Sequence, residues 1–226
     1  MIACEQGQDF DAAARIAEVE ICVITNCNME EKSSESFSRG VQMEPFLSPI
    51  EKPATPYMKL AYVMTRRQFG KVLMPLKVFC ARLPGGFGLF YSKISQLDKK
   101  LELPPETALL IREWVARINV CHFCTDIGRS IAIRASMNTA KFDALEQYNT
   151  NPLFNDAERA ALDYVTELTR DRKVAAETFA RMAGHYSERE ICDIVWLVAS
   201  EHFYNMINIG LNVPSDMLCD IRRKKK

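Results

Sequence analysis

The chain has 226 residues, 48% of them hydrophobic and 26% charged, ordinary values for a globular protein with a sizeable core in one or two domains. Lys+Arg and Asp+Glu stand at 29 each, so no global field recommends nucleic acid or a membrane surface as a partner. No basic-then-apolar leader is present, and no apolar run approaches the roughly 18 residues of a membrane span, so a cytoplasmic location is expected.

Residues 1–45 hold nine acids (Glu5, Asp9, Asp11, Glu18, Glu20, Glu30, Glu31, Glu35, Glu44) against three bases (Arg15, Lys32, Arg39), a net of −6 that leaves +6 on the remainder. Residues 9–20 have the pattern of a short helix, 21–25 of a strand-like run, and 30–36 of a linker. Residues 1–42 are therefore expected to form a loosely ordered extension, with an upstream stretch outside the folded unit or a docking strand as the alternatives. Residues 43–221 read as one helical domain. Pro49, Pro53 and Pro56 mark an extended lead-in, and 57–69 shows helical periodicity through Leu60, Val63 and Met64. Residues 72–83 are apolar and helical with an interruption at Pro75, and Pro84-Gly85-Gly86 is a stop.

A helix over 87–101 follows, and Pro104 and Pro105 supply first-turn prolines for the next one. There Leu110, Trp114, Val115 and Ile118 repeat at i, i+4, i+5 and i+8, the stripe of one buried face. After a break at 118–120 a second helix opens on Cys121 and Cys124. Helices are then expected over 140–148, 156–169 and 174–185, with a loop at 149–155. Ser187-Glu188-Arg189-Glu190 is a capping box opening a last helix that runs to about residue 211, before Pro214. Nothing alternates as strands do, so the core is predicted to be all-α, a helical bundle of eight or nine helices. Residues 222–226, Arg-Arg-Lys-Lys-Lys, read as a solvated basic tail.

Eight cysteines occur, at 4, 22, 27, 80, 121, 124, 192 and 219, too scattered for a small secreted disulfide framework. A reducing compartment with one redox-active pair suits them better. Cys121 and Cys124 lie at a helix start, where unpaired N–H groups and the helix dipole favour a thiolate. A spacing of three also allows their sulfurs to join without large backbone movement. One Cys-x-x-Cys supplies only two metal ligands and no second pair has ligand spacing, so no metal is expected. Gly85-Gly86-Phe87-Gly88 lacks the Lys and Ser/Thr of a phosphate loop and reads as a turn.

Leu103-Pro104-Pro105, followed by Arg112-Glu113-x-Val115-Ala116-Arg117-x-Asn119-x-Cys121-x-Phe123-Cys124, resembles the central motif of the carboxymuconolactone decarboxylase-like superfamily, which includes alkylhydroperoxidase D. The second half is similar too, through Asp156–Leu162, Leu168-Thr169-Arg170, Phe179-Ala180-Arg181, Tyr186–Ile191 and the Asn-Val-Pro ending at 212–214. The resemblance covers roughly residues 50–216 and implies an all-helical fold that associates through its helices as a homo-oligomer. For the redox branch it implies a thiol peroxidase without cofactor, acting on a small-molecule peroxide and recycled by a dithiol reductant. Cys124 would then attack and Cys121 resolve, whereas the dipole argument by itself favours Cys121.

This sequence departs from that branch at two positions. Its proton relay uses a Glu twelve residues before the first Cys and a His four after the second, and here these are Leu109 and Gly128. Glu113, one turn along from Leu109, is the candidate replacement, with a solvated helix charge as the alternative. Asp126 is a second candidate, or else a partner for first-turn N–H groups. His122 reads as a surface residue and His185 as a helix-end charge. His202 reads as a hydrogen-bonded core residue, or as a group facing the thiols. The candidate site is therefore Cys121, Cys124, Glu113 and Asp126. Three functions follow: a thiol-dependent peroxidase or disulfide oxidoreductase, a cofactor-free lactone decarboxylase-like enzyme, or a redox-sensing homologue without turnover.

Overall fold

Every regular element among the described residues is helical. The computed structural model describes residues 43–83 and 85–219, and the expectations for residues 1–42, Pro84 and the 222–226 tail lie outside them. The elements are α1 (Pro56–Phe69), α2 (Met74–Val78), α3 (Gly86–Asp98), α4 (Pro105–Ile118), α5 (His122–Arg134), α6 (Thr139–Asp143), α7 (Asp156–Arg170), α8 (Ala176–Ala183) and α9 (Glu188–Gly210). Short 3-10 turns lie at Cys80–Arg82 and Leu145–Gln147. All belong to the unit Glu44–Lys226. No helix among the described residues is long and apolar enough to cross a membrane.

α4 is the hub, packing on α9, α5 and α7. Pro105 occupies its first turn, where a missing N–H costs nothing, and Glu106 sits there as an acid favoured by the dipole. Leu110, Ile111 and Val115 are at most 1% exposed and Trp114 is 6% exposed. The Trp114 indole N–H donates to Thr166 Oγ1 of α7 at 2.7 Å, so its one polar atom is satisfied inside the core. Ile118 is only partly buried against the same cluster.

α9 joins α4 through polar groups as well. Glu201 Oε2 pairs with Arg112 Nη1 at 3.2 Å, and Arg112 Nη2 also reaches Asp98 at 2.9 Å. Asn205 donates to Glu201 at 2.7 Å and accepts from Asn119 at 2.8 Å. These buried groups are closed on one another, which fixes the helix register.

Helix ends explain where the elements differ from expectation. The Ser187–Glu190 capping box is present, and Asn155 with Glu158 forms a second one that opens α7. Pro75 does not interrupt a helix; it lies in the first turn of α2, which is why the apolar run from 72 to 83 splits into α2 and a 3-10 turn. The expected helices over 87–101, 140–148 and 174–185 are shorter, ending at Asp98, Asp143 and Ala183.

Between α4 and α5, Cys121 N donates to Ala116 O at 2.9 Å and Val120 N to Arg117 O at 3.0 Å. This pair of bonds is a Schellman ending, with Val120 at the left-handed position (φ 56°) where glycine is usual. A β-branched residue there is strained.

Because Val120 is 64% exposed, its side chain contributes little packing. Val120→Gly is expected to stabilise the fold by about 1 kcal/mol, read as a higher urea midpoint at unchanged slope. A lower midpoint would mean that the turn is not strained.

Candidate dithiol site

Cys121 is the N-cap residue of α5 and Cys124 lies in its first turn. Their Cα atoms are 5.3 Å apart and the two sulfurs are joined as a disulfide. Both residues are buried, at 2% and 6% exposure. They lie in an apolar cluster with Phe69, Leu73, Val78, Ala116, Phe123, Val213 and Leu218. The pair is thus covered by the α1–α2 connection on one side and by the chain after α9 on the other.

That C-terminal segment is tied down by two carboxylates. Asp216, 3% exposed, accepts the Met74 N–H at 2.8 Å and pairs with Lys71 at 2.6 Å, so one carboxylate serves the N-terminus of α2 and a cation together. Asp126 accepts the Leu218 N–H at 3.0 and 3.1 Å. Asp126 is thus directed at the strap over the disulfide, with the Leu218 N–H rather than a first-turn N–H as its partner.

Glu113 is not a solvated helix charge. It is 1% exposed, on the side of α4 that faces α5. Oε1 accepts from Arg117 Nε at 2.9 Å, while Oε2 is buried with no hydrogen-bond partner among the described residues. A Cβ placed on Gly128 would stand 2.7 Å from that Oε2. The glycine therefore makes room for the carboxyl. Gly128 follows Cys124 by four residues on one helix face, a separation of about 5–6 Å between Cβ positions. Burial pushes the Glu113 carboxyl up to about 7, against the lowering pull of Arg117 and Arg129.

On its α9 side Cys124 meets Asn208, whose Nδ2 lies 3.3 Å from Sγ. The sequence reading did not single out Asn208. Its signal is the i, i+4, i+7 set of Glu201, Asn205 and Asn208, visible only once the buried side of α9 is known.

The histidines stay away from the sulfurs. His122 is exposed and His185 is exposed beyond the end of α8. His202 lies 3.1 Å from both Asn119 Nδ2 and Arg172 Nη1, and burial followed by Arg172 lowers its pKa. It is hydrogen-bonded structure at the end of α4.

No protein-family model matches the sequence. The uncharacterised protein YnjA of Escherichia coli K12 is 28% identical over 166 residues, covering 71% of this chain and 88% of YnjA. Debrominase Bmp8, solved as a cysteine-to-alanine variant with 2,3,4-tribromopyrrole, matches with a TM-score of 0.66 at 20% identity, over 81% of this chain and 98% of that one. An Agrobacterium tumefaciens protein of unknown function, a candidate antioxidant defence protein AhpD, gives 0.55 at 20% identity, over 59% of this chain and 92% of that one. The chain has the alkylhydroperoxidase D-like fold.

The resemblance carried by the motifs therefore holds at the level of the fold. Within that fold Leu109 is core, 8% exposed, and Gly128 leaves a gap that the Glu113 carboxyl fills from one turn further along α4. The carboxyl at 113 and the bare Cα at 128 fit one another across the α4–α5 contact.

Two outcomes follow. Between about pH 4.5 and 7 folded Glu113 keeps a proton that the unfolded chain gives up, so stability falls as pH rises through that window. Urea titrations should show this fall at about 1.4 kcal/mol per pKa unit, and Glu113→Gln should flatten it; an unchanged slope would place the carboxyl in water. Asp126→Ala should release the strap and speed reduction of the Cys121–Cys124 disulfide by dithiothreitol several-fold, and an unchanged rate would mean that Leu218 does not limit access.

Proposed function

We propose that the protein is a dithiol–disulfide enzyme that reduces small hydroperoxides with Cys121 and Cys124 and is recycled by a dithiol partner. The observation that carries this reading is the buried Cys121–Cys124 disulfide at the start of α5 with a buried carboxyl one helical turn away. A low-dielectric cluster around the sulfurs magnifies each charge placed near them. Glu113, held near neutrality by its burial, is suited both to take the proton of a thiol and to return one to a leaving alkoxide. Cys124 is the attacking sulfur in this reading, because Asn208 contacts it and the Glu113 carboxyl lies against Gly128, one helical turn further along the same helix, and Cys121 is the resolving one.

The lactone decarboxylase-like alternative is weakened by the placement of His122, His185 and His202, none of which is hydrogen-bonded to either sulfur among the described residues. A non-catalytic sensor is weakened by the acid that Glu113 restores. The debrominase likeness favours one second reading, dithiol reduction of a small bromoaromatic compound. Assembly of copies through α9 is supported by Val195, Met206 and Ile209, which are 40%, 52% and 40% exposed along its outer side.

The test is hydroperoxide consumption with a dithiol supply, run beside bromide release from a bromopyrrole. Wild-type turnover should vanish in Cys124→Ser, and Cys121→Ser should complete a single turnover and stop. Glu113→Gln should lower the rate about 10²-fold, the usual contribution of a positioned acid–base group. Turnover that survives in Cys124→Ser would sink the proposal, and bromide release without peroxide loss would transfer it to the debromination reading.

A further inference from the structure

Five polar side chains of α9 are buried, and only Asn208 among them has an atom without a partner among the described residues. Asp193 accepts from Glu102 N and Ser200 donates to Trp196 O. Glu201 is matched by Arg112 and Asn205, and Asn205 by Glu201 and Asn119. Asn208 is 5% exposed. Its Nδ2 contacts Cys124 Sγ at 3.3 Å, and its Oδ1 is buried with no partner among the described residues. A disulfide sulfur is a weak acceptor, and a buried amide oxygen left unpaired is destabilising. An apolar side chain would fit the oxidised protein better. An amide fits the reduced one, where Cys124 carries charge and a charge-assisted hydrogen bond is about twice as strong as a neutral one.

We propose that Asn208 is a catalytic residue of the dithiol site, its Nδ2–H holding the reduced Cys124 sulfur as a thiolate and its Oδ1 accepting the O–H of the sulfenic acid which that sulfur becomes. The proposal rests on the dithiol reading above. It also resolves the conflict between the two cysteines. The helix dipole favours a thiolate at Cys121, at the N-cap, whereas the side-chain donor is on Cys124.

The chemistry closes as follows. The Cys124 thiolate attacks the outer oxygen of the hydroperoxide, an S–O bond forms, the O–O bond breaks, and sulfur gives up two electrons. The alcohol leaves with a proton from the protonated Glu113 carboxyl. The Cys124 sulfur now carries the hydroxyl taken from the peroxide, and Asn208 Oδ1, on the same amide carbon as the Nδ2 that contacts that sulfur, is the acceptor for its O–H. The Cys121 thiol then attacks Cys124 sulfur, a disulfide forms and water is released, its oxygen coming from the peroxide. A dithiol supplies two electrons and two protons to reopen the pair, becoming a disulfide itself.

α9 holds the amide in place. Val213 N donates to Asn208 O at 2.8 Å and Asn212 N to Ile209 O at 3.0 Å, a Schellman ending like that of α4, with Asn212 in the left-handed position (φ 52°). The same turn sends Val213 into the cluster over the sulfurs. The residue that orders the end of the helix through its backbone thus touches the reacting sulfur through its side chain.

The test isolates Cys124 in the reduced full-length Cys121→Ser protein and follows its thiolate by ultraviolet absorbance against pH, with the Cys121→Ser/Cys124→Ser double variant subtracting the other thiols. Asn208→Leu is expected to raise the Cys124 midpoint by about one pH unit or more, and to slow single-turnover hydroperoxide reduction near neutral pH about tenfold. The rate should recover above the new midpoint. Asn208→Ala carries the same test if Leu disturbs the fold, which circular dichroism reports. An unmoved midpoint in a folded variant, or a rate loss equal at every pH, overturns the assignment and leaves Asn208 a structural residue. A midpoint that moves with Asn208 in a protein consuming no hydroperoxide sustains the thiolate contact and removes the peroxidase reading. Normal peroxide turnover with an unmoved midpoint does the reverse.

Discussion

Burying a carboxyl between two helices costs free energy that its neighbours have to offset, and Glu113 shows how the α4–α5 contact is built around that requirement. Its side chain is sealed between the helices, so the facing residue on α5 has to be one without a side chain, which is Gly128. Arg117, one turn along α4, satisfies one oxygen and opposes the rise in pKa that desolvation causes. The other oxygen remains without a protein donor among the described residues. Native interiors leave few such atoms, and those they leave concentrate where chemistry happens.

The cysteine pair draws its surroundings from four separate parts of the chain. The start of α5 supplies the two sulfurs, α9 supplies Asn208, the α1–α2 connection supplies Phe69 and Leu73, and the segment after α9 supplies Val213 and Leu218 as a cover. The cover is fastened by polar groups whose partners are backbone N–H groups, Leu218 to Asp126 and Met74 to Asp216. Such bonds are directional and few, so the strap is held firmly without contributing a large apolar area of its own. The disulfide beneath it is buried, at 2% and 6% exposure of its two residues.

The relation to known proteins is one of fold, at 18 to 21% identity to the solved structures and with broad coverage. A shared fold does not bring a shared activity, because activity resides in the side chains around the site. Around this site Leu109 is part of the core, and Glu113 and Gly128 form a fitted pair across the α4–α5 contact. A carboxyl at 113 facing any larger residue at 128 would have to turn away from α5.

Much of the fold was legible in the residues themselves. The stripe from Leu110 to Ile118, the prolines before α4, the capping box at Ser187 and the absence of alternation report local backbone and periodicity physics, which neighbouring residues largely decide. The cysteine spacing also placed the redox pair, because three residues along a helix start bring two sulfurs together whatever surrounds them. Helix ends such as Val120 were less visible, since a left-handed position usually announces itself with glycine and this one does not. The state of Glu113 and the importance of Asn208 were not legible. A helical carboxylate reads the same in sequence whether water or a second helix lies over it, and an asparagine near a helix end reads as an ordinary polar residue. Only packing α4 against α5 and α9 sets burial, removes the competing water and brings groups 84 residues apart into contact. Sequence determined which residues form helices and where the sulfurs meet; the tertiary structure decided which carboxyl is buried and which amide touches the sulfur, because desolvation and contact are properties of the assembled interface.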